Sequence, residues 1–309
     1  MPDWGDLQED QLRFMARTHS GEVAYRDLGS GRSLTFEEWE TGSNRLARGL
    51  VARGIARGDR VSIYLPGTEV LAWIVAYAAV HNAGAVAVPT NTRLSSPELV
   101  TILGHAGISG LLTCEELLPT ALDVRAGVPS LDVVVSAGGR GPGVEAWDDV
   151  LDPDGSELHV PTDLPDLADI MYTSGTTGLP KGVAVRHSNV AMVPNNEPRW
   201  SGDLWLHGAP LFTFAGIAFI YNPMKMGMTG AYLARFDAGR WLEIVERERP
   251  TMAFLVPAMA ELLVAHPRFD EADLGSLVML SIGSAPCLRR PSAGSRSGYP
   301  ARRCRTPTG

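Results

Sequence analysis

Apolar and polar positions along this chain follow two periods, and the switches between them mark its elements. Thr35-Phe36-Glu37-Glu38 sets a capping Thr three residues ahead of a Glu. Apolar Phe36, Trp39, Leu46 and Leu50 follow at helical spacing, with Gly54 as the stop. Residues 60–66 form a short β-type run closed by Pro66. Residues 70–80 are apolar throughout and predict a buried helix ending near Gly84, and 85–88 predict a strand closed by Pro89. Ser95-Ser96-Pro97-Glu98 offers a cap and an early proline to the next helix, and strands are predicted at 110–113 and 131–136.

A Gly-, Pro- and Asp-rich stretch at 137–166 reads as an internal linker. Strand signals return at 169–172, 183–186, 231–233, 252–256 and 277–282. Between them lie a loop at 173–182, a helix capped by Ser188, and helices at 239–248 and 258–265. This alternation predicts an α/β protein with a mainly parallel sheet. Two α/β subdomains are expected, 1–165 and 166–286, in keeping with about two domains for 309 residues.

Composition narrows the classes. With 45% apolar and 20% charged residues the chain resembles an ordinary globular protein. Cys114, Cys287 and Cys304 are too few and too scattered for a disulfide framework, so a reducing cytoplasm is the default expectation. The acidic first residues lack the apolar core of a signal peptide, and the 70–80 run falls short of the roughly 20 residues that span a bilayer. A net charge of −8 argues against a nucleic-acid partner. The last 23 residues differ in kind, with six Arg and no Asp or Glu. Residues 287–309 are expected to form a disordered tail, because so few apolar groups cannot offset an ordering cost of about 1–2 kcal/mol per residue.

The chemistry concentrates in Tyr172-Thr173-Ser174-Gly175-Thr176-Thr177-Gly178-Leu179-Pro180-Lys181-Gly182. Glycines let backbone N–H groups approach an anion, hydroxyls add rotatable donors, and a lysine adds a point charge suited to phosphate. That lysine is notable because Arg supplies 25 of the 27 basic residues. The segment is no Walker A loop, since Gly rather than Ser or Thr follows the lysine. A plain Ser/Thr/Gly surface loop is the bland alternative, and this ten-residue composition directly after a strand weighs against it. Other candidates carry less. His81, His105 and His207 read as structural or solvent-facing, and His187 as a capping or packing residue. Cys114 and Cys287 lack a nucleophile pattern, and the acidic run 145–154 reads as a solvated loop, so no metal-ligand set is assigned.

Residues 172–182 resemble the phosphate-binding signature of the AMP-forming acyl-adenylate superfamily: acyl-CoA synthetases, luciferases and peptide-synthetase adenylation domains. Four further segments resemble that family in order. They are 34–39, 81–94, Pro210-Leu211-Phe212-Thr213-Phe214-Ala215-Gly216, and Gly283-Ser284-Ala285-Pro286. The resemblance spans about residues 10–286. It implies a ligase that turns a small carboxylic acid and Mg2+-bound ATP into an acyl-adenylate and pyrophosphate, then a thioester with coenzyme A. It further implies that Thr173, Ser174, Gly175, Thr176, Thr177, Gly178 and Lys181 hold the β- and γ-phosphates, with Lys181 and Thr176 catalytic among them. Gly283, Ser284, Ala285 and Pro286 would flank adenine, and Phe212, Thr213, Phe214 and Gly216 would border the acyl pocket. An adenylation domain loading a carrier protein, or a non-catalytic nucleotide-binding remnant, are the alternatives.

Two departures qualify the resemblance. Thr213 stands where many acyl-CoA synthetases carry His, which implies an altered acyl pocket or a lost gating role. The family also continues past its adenine segment to a Tyr-Gly-x-Thr-Glu motif and a small mobile domain with a catalytic lysine, whereas Tyr299 is followed here by Pro300 and Ala301. The expectation is a fold incomplete at its C-terminus, with a very weak or inactive ligase. A reading-frame shift in a GC-rich gene is the expected origin of the Arg-rich tail.

Overall fold

The computed structural model describes residues 4–158, 160–173, 181–190 and 193–283. The chain opens with α1 (Gln8–Thr18), β1 (Val23–Asp27), β2 (Ser33–Thr35) and α2 (Phe36–Ala52). An alternating run follows: β3 (Arg60–Ile63), α3 (Val70–Asn82), β4 (Val86–Pro89), α4 (Ser96–Ala106), β5 (Gly110–Cys114), α5 (Leu118–Gly127) and β6 (Val133–Ala137). Next come the short β7 (Glu145–Ala146) and α6 (Trp147–Val150), the hairpin of β8 (Leu167–Thr173) and β9 (Lys181–Arg186), and α7 (His187–Val190). The last stretch holds β10 (Asp203–His207), α8 (Phe214–Lys225), β11 (Met228–Tyr232), α9 (Ala238–Glu248), β12 (Met252–Leu255), α10 (Pro257–Val264) and β13 (Met279–Ile282).

Among the described residues the strands form a seven-stranded sheet, β7-β6-β5-β3-β4-β8-β9, and a six-stranded sheet, β13-β12-β10-β11-β1-β2. Only β1–β2 and β8–β9 pair antiparallel among these neighbours. The α/β, mainly parallel expectation therefore holds. The strands do not divide at residue 165, however: β8 and β9 complete the earlier sheet, while β1 and β2 join the later one.

α3 explains how the two sheets come together. It is apolar on every side, and 11 of its 13 residues are buried. Such a helix must be covered all round, and it touches β1 of one sheet and β3 and β4 of the other. α2 lies beside it, started by the expected reciprocal cap, in which Thr35 Oγ1 accepts from Glu38 N and the Glu38 carboxylate accepts from Thr35 N. Trp39 of α2 is fully buried and donates its indole N–H to the Ile74 carbonyl of α3 at 3.2 Å.

The stretch 137–166 is not a free linker. Part of it is strapped across α2, where Arg45 donates to the Asp152 carbonyl, Asn44 to Gly155 and Arg48 to Ser156 and Glu157. Its anchors are α2's side chains, so its own composition did not reveal them. Patterning also left out α1, β1, α5, β10 and α8. α1 is largely polar, with Leu12, Phe14 and Met15 as its apolar anchors. α8 is apolar on all faces and contains Pro223, which blurs its period. Among the described residues no helix is long and apolar enough to cross a membrane.

A methyl group at Gly49 of α2 would overlap the Val150 carbonyl oxygen of α6. Gly49→Ala is therefore expected to destabilise the chain by about 1–3 kcal/mol despite the gain in helix propensity. Urea unfolding checks this, and an unchanged or raised midpoint would show that the 147–158 strap yields at no cost.

Candidate functional site

The β8–β9 hairpin presents the phosphate-type segment. Its register runs from Leu167 opposite Arg186 to Thr173 opposite Lys181, so Thr173 and Lys181 face each other where the hairpin opens. β8 runs parallel to β4, with Asp169 opposite Ala87. The opening therefore lies at the carboxyl end of the parallel strands, where open α/β sheets bind ligands. Lys181 is exposed as the first residue of β9. Gly182 sits under the Tyr172 ring, where an added Cβ would come within 3.3 Å of Cζ. The Tyr172 hydroxyl reaches His105 Nδ1 of α4 at 2.7 Å, pinning the mouth of the hairpin. Ser174, Gly175, Thr176, Thr177 and Gly178 lie outside the described residues, as do Ser284, Ala285 and Pro286 and the tail 287–309. Gly283 follows β13 and donates its N–H to the Leu255 carbonyl at 3.1 Å, extending the parallel pairing with β12 to the carboxyl end of that sheet.

The segment 210–216 starts α8. Thr213 is its N-cap: Oγ1 accepts from Gly216 N at 3.2 Å and donates to the Pro210 carbonyl at 2.7 Å. The hydroxyl is thus spent on the helix start. A side chain at Gly216 would collide with the Pro210 backbone, which accounts for the glycine. Ile217 and Phe219 are buried, as ordinary packing predicts, whereas Phe212 is only half-buried and Phe214 is 52% exposed. A surface groove of about 680 Å³ lined by Leu34, Glu69, Val75 and Trp147 includes none of the expected site residues.

A buried charge network missing from the sequence reading lies behind the hairpin. His81, at the end of α3, makes a 2.6 Å contact from Nδ1 to Glu9 of α1. Its Nε2 lies 3.2 Å from both Asp169 Oδ1 and the Ala168 carbonyl of β8. The other Asp169 oxygen accepts from the Tyr77 hydroxyl at 3.0 Å. Burial alone pushes the Glu9 carboxyl up and the His81 imidazolium down. The attraction between them, with Asp169 across the ring, outweighs burial and holds Glu9 at about 2 and His81 at about 10. Both ring nitrogens then donate. His187 stands edge-on to His81 at 5.2 Å, and burial followed by the His81 charge pushes its pKa down. His207 is buried beside the Tyr25 hydroxyl, and burial lowers it to about 3. The structural readings of His81 and His207 therefore hold, but His81 is charged. The available signal was a histidine, an asparagine and an aspartate set inside otherwise apolar runs.

The geometry is that of an α/β domain offering a loop and a lysine at the carboxyl edge of a parallel sheet. The chain matches the AMP-binding enzyme family over residues 12–291 and belongs to it, within the AMP-forming acyl-CoA synthetase superfamily. It is 38% identical over 265 residues to a feruloyl-CoA synthase of Amycolatopsis, covering 83% of this chain and 50% of that protein. It is 31% identical over 294 residues to the fatty acid–[acyl-carrier-protein] ligase ScoC of Streptomyces coeruleorubidus, covering 91% and 55%. Its fold matches the inhibitor-bound N-terminal domain of FACL13 from Mycobacterium tuberculosis with a TM-score of 0.79 at 26% identity, over 91% of this chain and 71% of that one. The chain spans about half the length of the curated relatives it matches.

The network makes stability depend on pH with a defined sign. His81 holds its proton more tightly when folded, so its contribution is complete below about pH 6.5 and is lost as pH rises towards 10. Glu9 is depressed, so its contribution is complete above about pH 4.5 and is lost as pH falls towards 2. The reference is a triple variant, Glu9→Gln, His81→Gln and Asp169→Asn. The unfolding free energy of the wild type relative to it is expected to be greatest between those two limits and to narrow on either side. A gap that stays constant from about pH 6 to 9 would contradict the network's charge state.

Proposed function

We propose that this chain supplies the nucleotide- and acid-binding part of an ATP-dependent ligase that activates a carboxylic acid as its adenylate. In this reading a carboxylate oxygen attacks the α-phosphorus of Mg-ATP, the bond to the β-phosphate breaks, and pyrophosphate leaves. A thiolate then attacks the acyl carbon and AMP departs. Lys181 and the loop at 173–178, Thr176 included, offset charge on the β- and γ-phosphates while the reacting groups are held in line. Gly283 to Pro286 flank adenine, and Phe212, Thr213, Phe214 and Gly216 border the acid. The observation that carries this reading is the register that brings Thr173 opposite Lys181, closing a Ser/Thr/Gly-rich connection in a chain of the AMP-binding family.

Coenzyme A is the favoured thiol and an aromatic or fatty acid the favoured substrate, in keeping with the relative named feruloyl-CoA synthase. ScoC, named for an acyl carrier protein, supports the carrier-bound thiol as a second reading. Thr213 contributes through its cap rather than through a charge, so specificity on that side rests on shape and on the exposed Phe214.

Calorimetry with Mg-ATP tests the nucleotide site. Lys181→Ala removes a charge and Gly175→Val puts bulk where backbone N–H groups approach phosphate. Each is expected to weaken binding by about tenfold or more. Unchanged affinity in both variants would remove the loop from the site. Pyrophosphate release with a panel of aromatic and fatty acids, in the presence of coenzyme A or a carrier protein, then separates the two acceptors.

A further inference from the structure

The hairpin carrying the loop joins its sheet on one side, through β8. Among the described residues β9 is an edge strand whose first four residues, Lys181 to Ala184, are exposed, and its ladder is made only with β8. β8 meets the rest of its sheet through β4, with Asp169 opposite Ala87. The position of the hairpin therefore depends on the β4–β8 pairing, on the Tyr172–His105 contact at its mouth, on the groups that grip β8 from inside the molecule and on the residues that succeed β9.

The last two places lead to one histidine. Asp169, four residues before Thr173, gives one carboxylate oxygen to His81 and the other to Tyr77, and the neighbouring Ala168 carbonyl also accepts from His81. His187, directly after β9, packs its buried ring against the same imidazole. Glu9 from α1 closes the far side of the ring, and Lys225 from α8 lies close enough to Glu9 to interact with it electrostatically.

We propose that His81 and Tyr77 are positioning residues for the phosphate-binding loop: they fix Asp169, and through β8 they hold Thr173 and Lys181 in register. This rests on reading 173–182 as the nucleotide loop. The physical ground is that Asp169 is only 1% exposed. A carboxylate so deeply buried stays ionised only while it is paired and hydrogen-bonded. Without its partners the carboxylate is left buried and uncompensated, and swinging towards water to recover hydration releases the grip on β8. Nothing in this arrangement touches nucleotide, so its influence is on how well the loop is pre-organised.

Amide hydrogen exchange and Mg-ATP calorimetry on the full chain test the proposal. The variants are Tyr77→Phe, Asp169→Asn and Glu9→Gln, with Leu242→Ala as a destabilised control. Leu242 is fully buried in a separate apolar cluster with Trp241, Val245 and Leu255. Tyr77→Phe and Asp169→Asn are expected to speed exchange across 168–172 and 181–186 by about tenfold beyond Leu242→Ala, and to weaken Mg-ATP by a similar factor. Glu9→Gln leaves His81 on Asp169, so it lowers thermal stability while hairpin exchange and affinity stay within about twofold. Hairpin exchange that merely tracks global stability in all four variants would overturn the proposal. Tyr77→Phe removes one hydroxyl and leaves the packed ring, so it decides the question even if Asp169→Asn does not fold. A wild-type chain that binds no Mg-ATP would defeat the nucleotide reading, while the exchange comparison would still decide whether Asp169 is the hairpin's anchor.

Discussion

A single imidazolium, sealed between two carboxylates, ties the N-terminal helix, the central helix and the loop-bearing hairpin together. Taking such a group out of water is costly, and the cost is offset only when every partner is in place. His81 has Glu9 on one ring nitrogen and Asp169 with Ala168 on the other. Removing one partner from a buried pair typically costs about 3–5 kcal/mol, because it strands the other charge. The network thus acts as a geometric condition: α1, α3 and β8 are compatible with the folded state only in one mutual arrangement. Net stabilisation is a separate question, since apolar replacements of buried pairs are often neutral.

α3 sets the layers within which this condition operates. Its apolar surface on all sides demands cover from both sheets, and its last turn then delivers His81 to the seam beside β8. β8 in the seven-stranded sheet and β13 in the six-stranded sheet each lead, at the carboxyl end of their own parallel strands, into segments resembling phosphate- and adenine-binding motifs. Chemistry at such an end needs backbone N–H groups and a lysine held still, and rigidity has to come from the layers beneath.

Much of this was legible in the sequence wherever local signals govern. The Thr35–Glu38 and Ser95–Glu98 boxes start α2 and α4 as expected, and Pro66 and Pro89 close β3 and β4 at or just past their ends. The family signature could be read because its glycines, hydroxyls and lysine are contiguous. Long-range facts could not be read in the same way. The 137–166 stretch resembles a linker because its anchors are Arg45, Arg48 and Asn44 on α2. The sheets exchange strands across residue 165 because pairing depends on partners more than 150 residues apart, as with Tyr25 and Gly230. Glu9, His81 and Asp169 give no shared local signal, since their spacing in sequence bears no relation to their contact.

The tie between α1, α3 and β8 requires His81 to be charged while buried. Nuclear magnetic resonance of its ring nitrogens, followed from pH 6 to 11, measures that directly. Both nitrogens should remain protonated through neutral pH, with a midpoint near the value of about 10 that the two carboxylates impose. A midpoint near the ordinary histidine value of about 6.5 would mean that the ring is neutral in the folded chain and that no buried imidazolium ties α1 to β8.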